Sequence, residues 1–326
     1  MPYSAVSTLV RVALAAAALV SVLAPAGAQA DYPERQVTMI VPLAPGGGSD
    51  TQARILAKFL TEKFGHPVIV VNKPGANGYI GAQLVADSRP DGYTLMLQSA
   101  GSFMLAGMMR PQVLNALTDL KPVAQVGELN TSIMVRVDSP HKTLREFLDH
   151  AKSKPGALRW SHNGRGSFHH IAGVGFNRDA GLKTRDVPFD GGGPSRAALV
   201  GGQVDYALLG IQQLSGFEAQ IRPLGLVSDE RDELFPDVPT LKEQGVDVPV
   251  VSSPTVLYAP KATPDETVSR VAKAVEDVVK SEPYRKELAK IGLSSAYRGP
   301  EATASYLKKL HDSWMPLVEE AKAAPK

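Results

Sequence analysis

The chain has 326 residues, a formal net charge of +2 and no cysteine. A charge this small gives no field that would attract nucleic acid or an anionic membrane surface. The lack of cysteine excludes disulfides, a thiolate metal site and a cysteine nucleophile. Hydrophobic residues make up 44% of the sequence, so burial of a core must supply the stability of the fold.

The first 30 residues have the layout of a secretory signal. Arg11 is their only charged residue, and it is followed by an apolar run over 12–24 and the small-residue sequence Ala28-Gln29-Ala30. The run is shorter than the about 20 apolar residues that a membrane span needs. We therefore expect cleavage after Ala30 and export of the mature chain to the periplasm, with an uncleaved N-terminal anchor as the alternative.

From residue 36 onward, strand and helix patterns alternate, which favours parallel βαβ units. The first set consists of strands at 36–43, 67–72 and 93–99 and helices after Ser49 and over 81–88. Ser49 and Gln52 have the spacing of a capping box with Ser49 as the N-cap. These elements predict a first lobe in which helices cover a sheet.

The pattern begins again at Thr131 and predicts a second lobe of the same kind. Its elements are strands at 131–137, 157–161, 183–189, 204–209 and 222–228 and helices after Thr143, over 167–176 and over 195–202. Thr143 and Glu146 form a second capping-box pattern. A long strand at 251–260 then leads to Pro264, which we expect at the first position of a helix.

The C-terminal part of the chain has helix patterns and almost no strand, so we expect it to pack on the first lobe. We assign residues 31–129 and 254–326 to lobe 1 and residues 130–253 to lobe 2. Two crossings between the lobes, near 126–132 and 250–256, would form a hinge beside a ligand cleft. The predicted fold class is α/β and two-lobed, with a mostly parallel sheet flanked by helices in each lobe, as in Venus-flytrap periplasmic binding proteins.

Two glycine-rich segments each join a strand to a helix, VPLAPGGGSD at 41–50 and VPFDGGGPS at 187–195. Glycine lets a ligand approach the backbone closely, and the following helix offers unpaired N–H groups and the positive end of its dipole. We interpret both segments as sites for a carboxylate or phosphate held between the lobes; plain tight turns are the alternative. Thr51 stands where a dinucleotide motif requires glycine, and no phosphate-loop lysine follows, so no cofactor is expected.

Seven segments, in order, resemble the Bug-type receptors of tripartite tricarboxylate transporters. They are PLAPGGGSD (42–50), NKPGANGYIGAQLVA (72–86), PDGYTL (90–95), AKSKPGALRWS (151–161), GRGSFHHIAG (164–173), VPFDGGGPSRAALVGGQVD (187–205) and FPDVPTLKEQG (235–245). The resemblance implies a Venus-flytrap receptor without enzymatic activity, which we expect to be a monomer. Such a receptor binds a small organic acid, here a di- or tricarboxylate or an aromatic acid, and delivers it to membrane transporter subunits.

The resemblance also implies a ligand site formed by five segments, one of them a loop at 99–103 after the third strand. Main-chain amides around Gly46 would hold a carboxylate, and the hydroxyls of Ser161 and Ser167 would close on the other end of the ligand. The implied ligand-binding residues are Ala44, Pro45, Gly46, Gly47, Ser49, Asp50, Ser99, Ser102, Phe103, Ser161, Asn163, Arg165, Gly166, Ser167, His169, Phe189, Gly191, Gly192 and Gly210.

Two features of these segments bear on the choice of ligand. Gly210 stands where receptors of this type that take amino acids usually have an aspartate, so an amino-acid ligand is disfavoured. Cationic and aromatic side chains would form a mixed wall that suits an aromatic or long-chain carboxylate as well as citrate. These side chains are Arg165, His162, His169, Phe103, Phe168 and Phe189.

Other interpretations of the same residues stay open. Arg165 is either a bidentate carboxylate clamp or a solvated side chain. His162, His169 and His170 invite a metal site, but adjacent histidines face different sides of a helix and no carboxylate is near them in sequence, so no metal is expected. A ligand sensor for signalling is an alternative to transport, and a secreted hydrolase is another, although no serine has the G-x-S-x-G pattern.

Overall fold

The computed structural model describes residues 32–43, 45–46, 48–109, 114–115, 117–189 and 191–323. The signal segment predicted over 1–30 therefore lies outside the described residues, as do Ala44, Gly47 and Asp190 of the two glycine-rich segments. The described residues from Arg35 onward form one compact unit. Within the described part of the chain, no helix is long and apolar enough to cross a membrane.

The first sheet is built mainly from the N-terminal half of the chain. Its strands are β1 (Val37–Val41), β2 (Val68–Asn72), β3 (Thr94–Ser99), β4 (Leu120–Leu129) and β10 (Ser253–Pro260). They lie in the order β2, β1, β3, β10, β4. The strand β1 pairs in parallel with β2 and β3, whereas β10 pairs antiparallel with β3 and β4. Four strands therefore run in one direction and β10 runs against them.

The second sheet repeats this arrangement with the middle of the chain. Its strands are β5 (Thr131–Arg136), β6 (Arg159–His162), β7 (Arg185–Pro188), β8 (Tyr206–Gly210) and β9 (Ile221–Leu226). They lie in the order β7, β6, β8, β5, β9, with β6 parallel to β7 and β8 and with β5 antiparallel to β8 and β9. In each sheet the reversed strand is the one through which the chain enters from the other sheet. The predicted α/β, two-lobed fold class is confirmed.

Nine helices cover these sheets within the described residues. They are α1 (Gly48–Phe64), α2 (Tyr79–Ala86), α3 (Ala100–Met109), α4 (Leu144–Ser153), α5 (Phe168–Asp179), α6 (Gly192–Val200), α7 (Asp265–Val279), α8 (Glu282–Ala289) and α9 (Pro300–Ala323). The helices α1, α7 and α9 contact strands of the first sheet, and α9 also contacts α5 of the second lobe. The capping box of Thr143 and Glu146 at the start of α4 is confirmed.

The two sheets are joined by two crossings that are hydrogen-bonded to each other. Only Asn130 separates β4 from β5, and its side-chain amide donates to the buried carboxylate of Asp232 (3.0 Å). The Thr131 hydroxyl donates to the carbonyl of Val251 (3.2 Å), which lies on the return crossing. Glu128 accepts a hydrogen bond from the Ser252 hydroxyl (2.5 Å). The two crossings therefore touch each other.

Three local predictions were wrong, and one strand was missed. Residues 99–103 are not a loop, because α3 begins at Ala100 directly after β3. Ser49 lies inside α1, which begins at Gly48, so it is not the N-cap. Pro264 is the N-cap of α7 rather than its first residue, and no side chain caps that end. The strand β4 was missed, since proline, glycine and polar residues interrupt its apolar pattern in LKPVAQVGEL.

Candidate functional site

A cavity of about 1180 Å³ lies between the two sheets, next to the carboxyl ends of β1, β3 and β6. In α/β proteins, ligands bind at this edge because the loops and helix N-termini that follow the strands converge there. Gly48 and Ser99 line the cavity from the first lobe, and Asn163 and Gln212 line it from the second. The site therefore has one wall from each lobe.

The first wall is the N-terminal turn of α1. Gly48, Ser49, Thr51 and Gln52 line the cavity there, and the ideal Cβ position of Gly48 meets no described atom within 4 Å. The first N–H groups of a helix have no partner inside the helix, and the helix dipole places partial positive charge on them. This turn can therefore accept a carboxylate without a charged side chain.

Asp50 supports this turn and does not line the cavity. Its buried carboxylate accepts hydrogen bonds from the Gly46 amide (2.9 Å), the Arg54 guanidinium (3.0 Å) and the Asn72 amide (2.9 Å). The hydrogen bond from Arg54, followed by those from Gly46 and Asn72, outweighs burial and lowers the pKa of Asp50 to about 2. The Asp50 carboxylate therefore stays ionised and fixes the loop from which α1 begins.

Hydroxyl and amide groups extend the first wall along the ends of β3 and β10. Gln98, Ser99, Ser102 and Thr255 line the cavity. The Ser99 hydroxyl pairs with that of Ser253 (2.5 Å) and lies 3.4 Å from the Ser102 hydroxyl. This part of the wall offers neutral hydrogen-bond donors and acceptors that can orient a polar ligand.

The second wall is the loop between β6 and α5. Gly164 and Gly166 have φ values of 107° and 79°, which a side chain at either position would disfavour. The Ser167 hydroxyl caps α5 by accepting the His170 amide (3.2 Å), and the Gly166 amide donates to Nδ1 of His170 (3.2 Å). His170 therefore fixes the C-terminal part of this loop through both its ring and its main-chain amide.

Arg165 projects from this loop and is bound to Asp186 of β7. Its Nη2 lies 3.0 Å from Oδ2 and 3.1 Å from Oδ1 of that carboxylate. Nε2 of the buried His162 lies 3.3 Å from Oδ2. The strands β6 and β7 pair in parallel, and Asp186 lies directly beside Trp160 of β6. This pairing brings the Asp186 carboxylate near His162, at the end of β6, and near the loop that carries Arg165.

The histidines of this wall are neutral at pH 7. Burial lowers the pKa of His162, and burial followed by the nearby His162 lowers the pKa of His170 to about 4. His162, His170 and Asp186 offer ligand atoms within 4.8 Å of one another, which is close enough to consider a metal ion. However, Nδ1 of His170 accepts the Gly166 amide, so its proton is on Nε2 and no lone pair is left for a metal. The hydrogen bonds thus favour contacts among these protein groups over a bound metal ion.

The charge of the cavity is one-sided. None of its described lining residues is acidic, and the two ionised side chains among them are the cations Arg165 and Lys322. Apolar side chains complete the lining, and these are Leu43, Ala106, Met109, Leu129, Phe168, Ile291, Leu293 and Ala321. The geometry therefore suits an anionic molecule that has an apolar part.

The family model described as "Tripartite tricarboxylate transporter family receptor" matches residues 52–322. The chain belongs to this receptor family. BugT of Bordetella pertussis is 30% identical over 90% of this chain and 91% of its own length. A TctC solute-binding protein from Polaromonas, solved without ligand, has a TM-score of 0.81 at 30% identity and covers 89% of this chain and 99% of its own.

Two further structures of relatives contain ligands. MatC from Rhodopseudomonas palustris with bound malate is 32% identical, has a TM-score of 0.69 and covers 88% of this chain and all of its own. An R. palustris protein with adipate is 26% identical, has a TM-score of 0.72 and covers 91% of this chain and all of its own. The family and the fold are those of periplasmic solute-binding receptors, which are not enzymes.

The structure of this receptor brings eight of the predicted site residues to the cavity. They are Gly46, Ser49, Ser99, Ser102, Asn163, Arg165, Gly166 and Ser167. Ala44 and Gly47 lie outside the described residues. Pro45 is exposed beside the cavity lining without being part of it, and Asp50 supports the loop instead.

Two predicted aromatic side chains are in the protein interior instead. Phe103 is fully buried and packs against Tyr79, with ring centroids 4.7 Å apart. His169 is buried with Nδ1 against the Asn163 side chain, and His170, the next residue, lines the cavity. Both errors have one cause: the residues lie on helices α3 and α5, where a shift of one position turns a side chain by about 100°.

The second glycine-rich segment also differs from the prediction. Gly191 and Gly192 do not line the cavity, and the ideal Cβ of Gly192 lies 3.4 Å from the side chain of Gln213, which does. Phe189 packs on a second-lobe core cluster. Ser161 is fully buried and pairs with the Ser195 hydroxyl (2.8 Å). These residues lie behind the wall and support it.

Gly210 leaves room for the side chain of Gln212 and does not line the cavity itself. A Cβ at this position would overlap the side-chain amide of Gln212, which lines the cavity. An aspartate at position 210 would therefore displace Gln212. The glycine is consistent with the predicted lack of a partner for an amino group, but it does not itself contact the cavity.

Sequence reasoning missed several lining residues from distant parts of the chain. They are Thr51, Gln52, Gln98, Met109, His170, Gln213, Thr255, Ile291, Leu293, Ala321 and Lys322. Thr51 and Gln52 could have been found, because they follow Ser49 on the helix whose start was predicted. Leu293 and Lys322 had no local signal, since only the packing of α8 and α9 brings them to the cavity.

Proposed function

We propose that this receptor binds a small organic anion, with a carboxylate at the N-terminus of α1, and delivers it to the membrane subunits of a tripartite transporter. The observation that carries the proposal is the charge of the cavity. It combines a helix N-terminus with two cationic side chains, and none of its described lining residues is acidic. A bound anion could therefore contact the N-terminus of α1 on one wall and the Arg165 guanidinium on the other without meeting an acidic residue of the described lining.

The ligand class that fits best is a di- or tricarboxylate or an aromatic acid. Relatives are described with malate and with adipate, which supports a carboxylate with more than one acid group. The side chains of Met109, Phe168 and Leu293 give this cavity apolar surface for a longer or aromatic ligand. Micromolar affinity corresponds to about 8 kcal/mol, and one helix N-terminus supplies about 0.3 to 2 kcal/mol. Contacts along the whole ligand must therefore contribute.

Amino acids are disfavoured as ligands. An ammonium group that leaves water without an acidic partner loses several kcal/mol of solvation, and no described lining residue is acidic. Glutarate should therefore bind far more tightly than glutamate, which has the same chain length and one additional amino group. Equal affinity of the two acids in calorimetric titrations would contradict the proposed ligand class.

A thermal-shift screen of mono-, di-, tri- and aromatic carboxylates tests the proposed function. A ligand at 100 times its dissociation constant adds about 2.7 kcal/mol to the free energy of unfolding, which gives a clear rise in melting temperature. If none of these acids stabilises the protein, the proposal is wrong. Recovery of the intact acid after long incubation supports a receptor, whereas its conversion to a product would support a hydrolase.

Export of the protein is part of the same proposal. Arg11, the apolar run and Ala28-Gln29-Ala30 support cleavage after Ala30, and relatives include the periplasmic binding protein BugD. N-terminal sequencing of the periplasmic protein should begin at Asp31. A soluble mature product that keeps Met1 would contradict this localisation.

The movement of the lobes and the monomeric state also remain proposals. We propose lobe 1 as residues 31–129 with 254–326 and lobe 2 as residues 130–253, closing about the hinge at Asn130. Small-angle scattering should show a smaller radius of gyration with the best acid than without it, at the mass of one chain. Loss of uptake on deletion of the membrane subunits distinguishes transport from a sensor role.

A further inference from the structure

Arg165 stands out among the cavity residues because a carboxylate on another element, Asp186 of β7, holds it in place. Its side chain is 39% exposed, and the carboxylate that it contacts, Asp186, is 25% exposed. Lys322, the other lining cation, donates to Glu319 on its own helix (2.8 Å) near the end of α9. Of these two cations, only Arg165 is therefore fixed to a sheet. That sheet belongs to the second lobe, and α1 belongs to the first.

We propose that Asp186 is a positioning residue, which holds the Arg165 guanidinium at the cavity as the partner of a second anionic group on the ligand. The inference rests on the proposed function, in which the first carboxylate binds at the N-terminus of α1. It adds that the receptor distinguishes dianions from monoanions of the same length, and that Asp186 sets this preference through Arg165.

The geometry leaves the guanidinium able to bind the ligand. Both contacts with Asp186 use the same nitrogen, Nη2, and Nε and Nη1 make no hydrogen bond to a described residue. A guanidinium has five N–H donors in a rigid plane, so one edge can bind Asp186 while another edge binds a carboxylate. The positive φ angles of Gly164 and Gly166 hold Arg165 on a tight turn.

Asp186 is itself oriented from the opposite side. The His162 ring is fully buried, and its Nε2 lies 3.3 Å from Oδ2 of Asp186. An ionised carboxylate only accepts hydrogen bonds, so Nε2 of His162 is the donor in this contact, and burial lowers the pKa of the imidazole. Asp186 thus has a fixed position on β7, and the position of Arg165 follows from it.

Calorimetric titration with adipate and hexanoate tests the proposal, because the two acids have six carbons each and differ by one carboxylate. We expect wild type to bind adipate at least tenfold more tightly than hexanoate. Arg165→Gln should reduce this ratio to below threefold and leave hexanoate binding within twofold of wild type. Retention of the wild-type ratio by Arg165→Gln would overturn the assignment of Arg165.

Asp186→Glu separates positioning from charge, because it keeps the charge and moves the carboxylate by one methylene. We expect it to weaken adipate binding threefold to tenfold, to leave hexanoate binding unchanged, and to have no further effect in an Arg165→Gln background. If Asp186 acted only by offsetting charge, Asp186→Glu would match wild type and Asp186→Asn would bind adipate more tightly. That result would overturn the proposal, as would an undiminished effect of Asp186→Glu without Arg165.

A control pair is available in the same lobe. Arg231 and Glu243 form a comparable ion pair (3.0 Å) outside the cavity lining, so Arg231→Gln should leave the adipate-to-hexanoate ratio unchanged. Hexanoate binding by each Arg165 and Asp186 variant shows that it is folded. If wild type bound neither acid and no other carboxylate in the thermal-shift screen, the proposed function itself would be wrong and the inference would fall with it.

Discussion

The two glycine-rich segments have nearly the same sequence pattern but different places in the molecule. The first, 41–50, brings the N-terminus of α1 to the cavity through Gly46, Gly48 and Ser49. In the second, 187–195, neither Gly191 nor Gly192 lines the cavity, and Gln213 lies between Gly192 and the ligand space. A strand, three glycines and a helix are therefore not sufficient to define an anion site.

The difference lies in what stands in front of each helix. The cavity is directly in front of α1, whereas the turn at Ile211–Leu214 lies beside the N-terminus of α6. The second lobe instead presents the loop before α5, which has only two glycines, Gly164 and Gly166, and one fixed cation, Arg165. The segment that packs in front of the helix, rather than the local motif, thus decides which helix N-terminus is available to a ligand.

The largest expected effect is the loss of protein stability when the hydrogen bonds that hold the first segment are removed. Asp50→Ala leaves the Gly46 amide, Arg54 and Asn72 without their shared acceptor, and should lower the free energy of unfolding by about 2 to 3 kcal/mol. Ser195→Ala in the second segment removes one neutral hydrogen bond with Ser161 and should cost about 1 kcal/mol. Urea denaturation measures both values. Equal losses would remove the distinction between the segments.

The acid dependence of stability gives a second test of the same residue. Because its folded pKa, about 2, lies below its ordinary value of 3.8, its stabilisation is fully present above pH 5 and is lost as the pH falls from about 4 to 2. Asp50→Asn should therefore be less sensitive than wild type to acid in that window.

A slightly smaller effect should come from His170 in the loop before α5. Its pKa of about 4 lies below the ordinary value of 6.5, so the neutral form stabilises the fold above pH 6.5 and this stabilisation is lost as the pH falls toward 4. At pH 5 the loss is about 2 kcal/mol. His170→Asn should remove that share of the acid sensitivity, as measured by denaturation at a series of pH values. An unchanged pH profile would contradict the burial of the neutral ring.

These comparisons show how far the sequence could predict the structure. Apolar runs and capping patterns are local, so most elements of both lobes and the Thr143 cap could be found. Pairing across strands is not local, and the contact of Arg165 with Asp186 therefore had no signal. Helix phase was the third obstacle, because Ser102 and His170 line the cavity while Phe103 and His169 do not.

Substitutions of one glycine in each segment, Gly48 and Gly192, should differ in their effect on ligand affinity. Gly48→Val places methyl groups in open space within the cavity and should weaken binding of the best acid at least tenfold, about 1.4 kcal/mol. Gly192→Val places them against Gln213 and should weaken binding less than threefold. Calorimetry on both variants, with circular dichroism as the control for folding, makes the comparison. A larger loss for Gly192→Val would restore the second segment as the principal anion site.

The smallest expected effects come from the two serines at the starts of α1 and α5. Ser167 is the N-cap of α5, so Ser167→Ala should cost about 1 kcal/mol of stability. Ser49 lies inside α1, so Ser49→Ala should change stability by less than about 0.5 kcal/mol and should weaken ligand binding instead. Thermal denaturation and calorimetry distinguish the two outcomes. A large stability loss for Ser49→Ala would indicate that it caps α1 after all.

The most direct test of an anion site at α1 is a crystal structure of the mature receptor with the best acid from the carboxylate screen. We predict one carboxylate of the ligand within hydrogen-bonding distance of the main-chain amides at Gly48 and Ser49, in the cavity that also contains Ser99 and Asn163. A ligand bound instead at Gly191 and Gly192, or one that turns an uncharged group toward α1, would contradict the account.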